Sequence, residues 1–131
     1  MREDVKQTAV DVFRRAVAAL EIRQALTRPS GNVTLWREKR FEIVIGNRWV
    51  SGAFDRVVVS RDQSGKALRA RVLDFKSDEV PGEAAVADRA KQYRPQMETY
   101  RGALSRMLGL QPDKVALELL FVQSGKAHEL R

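Results

Sequence analysis

Apolar side chains change their spacing along this chain, and the changes divide it into helical and extended segments. Over residues 4–26 they recur every three or four positions, which predicts an amphipathic helix, and turn residues at 29–32 end it. From residue 40 apolar and polar positions alternate, and two further strands are predicted over 48–60 and 68–75. The first half of the chain is therefore predicted to be one helix followed by three strands.

A second helical region follows. Residues 84–92 are helix-prone, and Pro95, which has no N–H to donate, predicts the first turn of a helix that continues to Leu108. Gly109 and Pro112 are typical of the end of such a helix.

Two more strands complete the pattern. The continuous apolar run 115–122 predicts a strand covered on both faces, and 126–130 is expected to fold back on it through Ser124-Gly125. The predicted fold class is α/β (α+β), a single domain over residues 1–131 with a central mixed sheet flanked by helices. Its element order is α-β-β-β-α-β-β.

Aspartates interrupt two of these strands, although a strand interior accommodates Asp poorly. If Ser64-Gly65 is a two-residue hairpin loop, cross-strand partners have numbers that sum to 129, and Asp55 lies opposite Asp74. Like charges in this arrangement repel unless a cation lies between them. Lys76 points to the same face as Asp74 and lies diagonal to Asp55. The register thus predicts a site in which a divalent metal ion and a lysine offset the carboxylates.

A third carboxylate joins this pair if the preceding hairpin turns at Gly46-Asn47. Partner numbers then sum to 93, which places Glu38 beside Asp55. The expectation is a row of three carboxylates on neighbouring strands, with Lys76 next to them. It depends on both turns, because a slip of one residue sends a side chain to the opposite face.

Composition restricts the chemistry of such a site. The 131 residues include no cysteine and a single histidine, His128, so a metal ion must be held mainly by oxygen rather than in a zinc site of His and Cys type. The 24 Lys and Arg residues against 17 Asp and Glu give a net charge of +7, which favours DNA or another anionic polymer as partner. With no apolar run long enough to cross a membrane and no signal-peptide character at the start, a cytoplasmic protein is expected.

The polar residues of these strands and of the second helix occur as short motifs. In chain order they are Gly52-x-x-Asp55, Asp74-Phe75-Lys76 and Gln96-x-x-x-Tyr100. Over about residues 35–125 the chain resembles the PD-(D/E)XK nuclease superfamily, and is most similar to the RecB-like nuclease domain in the C-terminal part of AddA- and RecB-type helicase–nucleases. The resemblance implies a restriction-endonuclease-like core and a Mg²⁺- or Mn²⁺-dependent deoxyribonuclease, an exonuclease, acting in DNA double-strand break repair and recombination.

The resemblance also implies roles for the matching strand residues. Asp55 and Asp74 would bind the metal ion, and the backbone carbonyl of Phe75 would complete its shell. Lys76 would orient or polarise the attacking water. Glu38 resembles a glutamate that often begins the first strand, and is a further candidate catalytic residue.

The predicted helix supplies the candidate DNA contacts. By resemblance, Gln96 and Tyr100 would position the DNA strand. Arg94 is one of several basic residues nearby that could contact phosphates without reading sequence.

One departure from the family leaves alternatives open. Its members usually have a metal-ligating histidine on an upstream helix, whereas residues 2–26 contain none and His128 follows the motifs. The chain could be a C-terminal fragment of a larger helicase–nuclease, Glu38 could replace the histidine, or the domain could be an inactive DNA-binding or docking module. Since no Gly-x-x-x-x-Gly-Lys loop is present, a helicase motor would lie elsewhere in the parent chain or in a partner helicase subunit.

Structural explanations compete with the functional ones. Asp55 and Asp74 could be structural ion-pair partners of neighbouring basic side chains, as buried ions often are. These neighbours are Arg56, Arg71 and Lys76. Tyr100 lies in the apolar stripe of its helix, so core packing would explain it equally well. Trp36 and Trp49 are expected in core or rim packing, because no ladder of exposed aromatic side chains accompanies them.

Overall fold

A five-stranded mixed sheet with a helix packed on each face forms the described part of the molecule. The computed structural model describes residues 20–27 and 31–131, so most of the helix predicted over 4–26 lies outside the described residues. The elements are α1 (Leu20–Leu26), β1 (Val33–Ile45), β2 (Arg48–Arg61), β3 (Ala67–Lys76), α2 (Glu83–Leu108), a 3-10 turn (Pro112–Lys114), β4 (Val115–Phe121) and β5 (Lys126–Leu130).

The strands lie in the order β1-β2-β3-β4-β5. All neighbours are antiparallel except β3 and β4, which α2 connects as a parallel pair. The predicted α/β (α+β) fold and the predicted order of elements are confirmed, and the architecture is consistent with a restriction-endonuclease-like core. Among the described helices, none is both long and apolar enough to span a membrane.

The central strands bury side chains on both faces, because successive residues point to opposite sides. The face under α2 includes Val57, Val59, Val72, Leu117 and Leu119. On the other face, Val58, Leu73 and Leu120 pack against Ile22 and Ala25 of α1. Each fully buried aliphatic side chain contributes about 1.5–3 kcal/mol, so this double cover holds β2, β3 and β4 firmly in place.

Both predicted hairpin registers are present. Partner numbers sum to 93 between β1 and β2, which turn at Gly46-Asn47, and to 129 between β2 and β3. The second turn is not the predicted two-residue loop at Ser64-Gly65, because the N–H of Asp62 donates to the carbonyl of Lys66 (2.9 Å). A β-bulge next to this longer loop offsets the extra residue, and the register beyond it is the predicted one.

The alternation of side chains reverses halfway along the β1–β2 hairpin. Trp36 and Val57 are cross-strand partners on the α2 face, yet nearer the turn Phe41 and Phe54, which have the opposite parity, also pack on that face. The reversal occurs at Glu38, whose φ of 49° is left-handed. This reversal rotates the half of the hairpin nearer the turn about its long axis, so that the apolar side chains of that half cover the end of α2.

The helix α2 is continuous over Glu83–Leu108, whereas the sequence predicted a separate helix that begins at Pro95. Pro95 is exposed in its middle, and only one intrahelical hydrogen bond is lost there. Burial of Met97, Tyr100 and Leu104 against the sheet outweighs that loss. Gly109 ends the helix as predicted, with a left-handed φ of 66°.

Candidate functional site

Two carboxylates lie side by side on the α2 face, just beyond the last backbone pair of β2 and β3, Arg56↔Leu73. Asp55 belongs to β2, and its Oδ2 accepts a hydrogen bond from the N–H of Phe75 (2.9 Å). Asp74 belongs to β3 and is only 4% exposed. The predicted register thus brings Asp55 and Asp74 together.

The pKa of Asp74 indicates that the carboxylate pair requires a cation. Burial, together with the neighbouring Asp55 carboxylate, raises the pKa of Asp74 to about 6, against the opposing effect of the Lys76 ammonium. Adjacent carboxylates in a buried site are therefore costly to ionise unless a cation joins them. Carboxylate oxygens are also the ligands that Mg²⁺ and Mn²⁺ prefer, so this donor set fits such an ion.

Lys76 is held by three contacts, one within its own strand β3 and two from α2. Its Nζ lies 2.6 Å from Asp74 Oδ2 and donates a hydrogen bond to Gln96 Oε1 (2.8 Å). It also lies 4.1 Å from the centroid of the Tyr93 ring, a cation–π distance. The ammonium group is fixed beside the carboxylates before any substrate binds.

Gln96 and Tyr100 continue this network along α2. The amide nitrogen of Gln96 donates to the hydroxyl of Tyr100 (3.2 Å). The Tyr100 ring packs edge-on against Phe41 and Phe54, while burial and the charges of both aspartates raise the pKa of its hydroxyl. The Tyr100 ring therefore lies in the core, as the apolar stripe of the helix predicts, and its hydroxyl joins the network of Lys76.

Tyr93 and Asp78 also belong to this network, although they lie outside the three sequence motifs. The hydroxyl of Tyr93 donates to Asp78 Oδ1 (2.6 Å), and Arg89 Nε lies 3.4 Å from the other oxygen of that carboxylate. The available signal was the spacing, because Tyr93 precedes Gln96 by three residues and shares its side of the helix. A ring that faces a lysine was nevertheless indistinguishable from one that faces the core.

Glu38 does not join the carboxylate pair. The β1–β2 pairing passes from Arg37↔Arg56 to Lys39↔Phe54 and does not include Glu38. Glu38 is exposed, and the described residues contain no group of three or more acidic or histidine side chains that could hold a metal ion. The predicted row of three carboxylates is therefore wrong. The left-handed backbone at Glu38, where the faces of the hairpin exchange, is the physical reason.

Arg94 also lies away from the carboxylates. Its guanidinium group contacts Glu98 (3.4 Å) and donates to the carbonyl of Arg131 (3.1 Å) beyond β5. A separation of two residues turns a side chain about 200° around a helix, so Arg94 and Gln96 point in different directions.

The arginines considered as structural partners of the aspartates bind other groups. Arg71 pairs with Glu118 (2.6 Å), and Arg56 donates to the carbonyl of Leu26 at the end of α1 (3.0 Å). Lys76 is the basic residue in direct contact with Asp74. The carboxylate pair is thus only partly neutralised by the protein.

Comparison with known proteins identifies one family for the chain. The family model for the PD-(D/E)XK nuclease superfamily matches residues 2–130, almost the entire chain. The curated proteins include no match to the chain. Enzymes of this superfamily typically use divalent metal ions, in keeping with the oxygen donors of Asp55 and Asp74. By its sequence over this whole length, the chain belongs to the PD-(D/E)XK nuclease superfamily.

Proposed function

We propose that the protein is a Mg²⁺- or Mn²⁺-dependent deoxyribonuclease that hydrolyses phosphodiester bonds at the site of Asp55, Asp74 and Lys76. The observation that carries this proposal is the partly neutralised carboxylate pair, with Asp74 buried and Asp55 half-buried, and a fixed ammonium group 2.6 Å from Asp74. Two adjacent carboxylates in a partly desolvated site destabilise the folded protein, and their presence therefore favours a functional role.

Asp55 and Asp74, with the backbone carbonyl of Phe75, would hold the metal ion. When bound, the ion supplies a water of lowered pKa and neutralises charge on the phosphoryl oxygens. The N–H of Phe75 already fixes the carboxylate of Asp55 (2.9 Å), so β3 orients ligands from both strands.

Lys76 would hold the attacking water and stabilise the negative charge that grows on the phosphate. A preorganised group of this kind is worth about 10²- to 10³-fold in rate, because it needs no rearrangement when the charge develops. Gln96 is exposed next to Lys76 and, braced by Tyr100, would contact the DNA strand.

We further propose that this is the exonuclease module of an AddA- or RecB-type helicase–nuclease in double-strand break repair, working in the cytoplasm with a helicase motor from its parent chain or a partner subunit. The order and spacing of the motifs support this context, and the net charge of +7 favours DNA. An exonuclease should degrade linear DNA and leave a covalently closed circle intact. Cleavage of the circle would assign an endonuclease instead.

The nuclease proposal is tested by cleavage of end-labelled linear DNA with Mg²⁺, with Mn²⁺ and with EDTA. Wild type should cut with either metal and not with EDTA, and Asp55→Asn and Asp74→Asn should each lose at least about 100-fold in rate. Asp113→Asn, which removes an exposed carboxylate far along the chain, is the matched control and should cut normally. If wild type cuts no DNA under either metal, a non-catalytic DNA-binding or docking module becomes the better account.

A further inference from the structure

The outer end of the β1–β2 hairpin exposes a large aromatic side chain. Trp49 is 77% exposed, and its cross-strand partner Val44 is 45% exposed. The expectation that Trp49 serves core or rim packing is therefore wrong. Tryptophan is highly buried on average, and adjoining exposed apolar side chains often mark an interaction site.

Trp49 also lines an open groove of about 600 Å³ between the hairpin and α2. One wall includes Arg48, Trp49 and Ser51, and the other includes Glu98, Thr99 and Gly102. Its volume lies within the usual range of small-molecule sites. In the described part of the chain, β3 pairs with β2 only from Arg56 onward, so no strand pairs with the edge of residues 48–54 that points away from β1.

Both walls of this groove continue into the proposed catalytic site. Ser51 precedes Asp55 by four residues on β2, a distance of about 13 Å along a strand. Thr99 follows Gln96 by three residues on α2, which is about 5 Å along the helix axis. A DNA strand with a phosphate at the carboxylates can therefore reach the groove within a few nucleotides.

The charges of the groove suit a polyanion. Arg48 lies in its wall, and the segment from Trp36 to Ser51 contains four basic and two acidic residues. The one acidic side chain in the lining, Glu98, is bound by Arg101 at 2.8 Å and by Arg94 at 3.4 Å, which reduces its repulsion of phosphates.

We propose that this groove binds the substrate strand beside the cleavage site, with Trp49 stacked on one of its bases, and that the substrate is therefore single-stranded DNA. The inference rests on the proposed nuclease function. Stacking on a side chain needs a base with an uncovered face, which a single strand offers and an intact duplex does not. Stacking would also explain why an indole is kept in water next to basic side chains.

The test measures binding without cleavage, in EDTA. The chain has two tryptophans, so in a Trp36→Phe background Trp49 is the sole indole, and its fluorescence should be quenched by a short oligothymidylate but not by a duplex of equal length. By anisotropy, Trp49→Ala should bind the single strand about 5- to 100-fold more weakly, while Trp49→Phe keeps most of the affinity. Leu68→Ala, which removes another exposed apolar side chain, is the matched control and should bind normally.

The outcomes separate this inference from the nuclease proposal. Single-stranded DNA that binds without quenching Trp49, or that binds Trp49→Ala as tightly as wild type, overturns the stacking groove and leaves the nuclease proposal standing. A wild-type protein that binds neither single-stranded nor duplex DNA overturns both, and assigns the exposed indole to a protein contact. A Trp49→Ala variant that loses single-stranded and duplex binding equally also contradicts the single-strand assignment.

Discussion

In the absence of metal ions, replacing Asp74 by Asn should stabilise the protein at neutral pH. Asn has nearly the shape of a protonated Asp and carries no charge. Asp74 is 4% exposed beside Asp55, so its ionised form is disfavoured even with Lys76 2.6 Å away. The substitution removes a charge that the folded protein accommodates poorly.

The magnitude follows from the pKa of Asp74, which burial and then Asp55 raise from 3.8 to about 6 net of the opposing lysine. Since a tenfold change in proton affinity is worth about 1.4 kcal/mol, the raised pKa corresponds to about 3 kcal/mol as an upper value. The folded state binds this proton more tightly than the unfolded state does. The stabilisation is therefore fully present below pH 3.8 and is lost as the pH rises through about 6.

Urea unfolding followed by circular dichroism in EDTA, at pH values from about 4 to 7, measures this effect. The free energy of unfolding of wild type, relative to that of Asp74→Asn, should fall by up to about 3 kcal/mol over this window. Relative to Asp113→Asn, which changes an exposed carboxylate, it should stay nearly constant.

Parallel pH profiles for wild type and Asp74→Asn would contradict this prediction, because they would mean that Asp74 ionises in the folded protein as easily as in water. Metal ions supply a second check at pH 7. Mn²⁺ at 100 times its Kd should stabilise wild type by about 2.7 kcal/mol and leave Asp74→Asn nearly unchanged.

Further predictions concern the support of the site. Tyr93→Phe keeps the ring that faces Lys76 and should cut DNA at nearly the wild-type rate. Tyr93→Leu lacks the ring and should cut DNA several-fold more slowly, with little change in KM. Equal cleavage rates for the two variants would show that the ring does not support Lys76. Gly52→Ala brings a new Cβ to 2.9 Å from the Phe41 ring and should lower the free energy of unfolding by about 1–3 kcal/mol. Gly102→Ala lies inside α2, where the nearest side-chain atom is 3.7 Å from the new Cβ, and should raise the free energy of unfolding by up to about 1 kcal/mol. The opposite order of stabilities in urea unfolding would contradict this packing. DNA affinity should fall steeply with salt and depend little on base sequence, and indifference to salt in anisotropy titrations would remove the phosphate contacts.

The carboxylate pair could be predicted from sequence because a strand repeat has a period of two and a turn fixes the register. Asp55 meets Asp74 even though the turn at Ser64-Gly65 was assigned wrongly, since a bulge offsets the longer loop. The periodic strands and the glycine at the end of α2 were likewise sufficient to give the order of elements.

The remaining features depend on tertiary contacts that no local pattern records. Nothing in the residue type of Glu38 predicts a left-handed φ, which Glu rarely adopts, and this conformation removes it from the site. Pro95 predicts the start of a helix, whereas packing of α2 on the sheet stabilises a helix that continues on both sides of this proline. Hydrophobicity does not distinguish a ring that faces a lysine, as at Tyr93, or water, as at Trp49, from a buried one.

In the proposed mechanism, Lys76 acts on the reaction at a metal site formed by Asp55 and Asp74. Its most direct test is single-turnover cleavage of labelled single-stranded DNA by Lys76→Ala at saturating Mn²⁺, with calorimetric Mn²⁺ binding and DNA affinity measured on the same samples. We expect Mn²⁺ and DNA binding close to wild type and a cleavage rate lower by about 10²- to 10³-fold. Cleavage by Lys76→Ala at the wild-type rate, with both ligands bound, would contradict this mechanism.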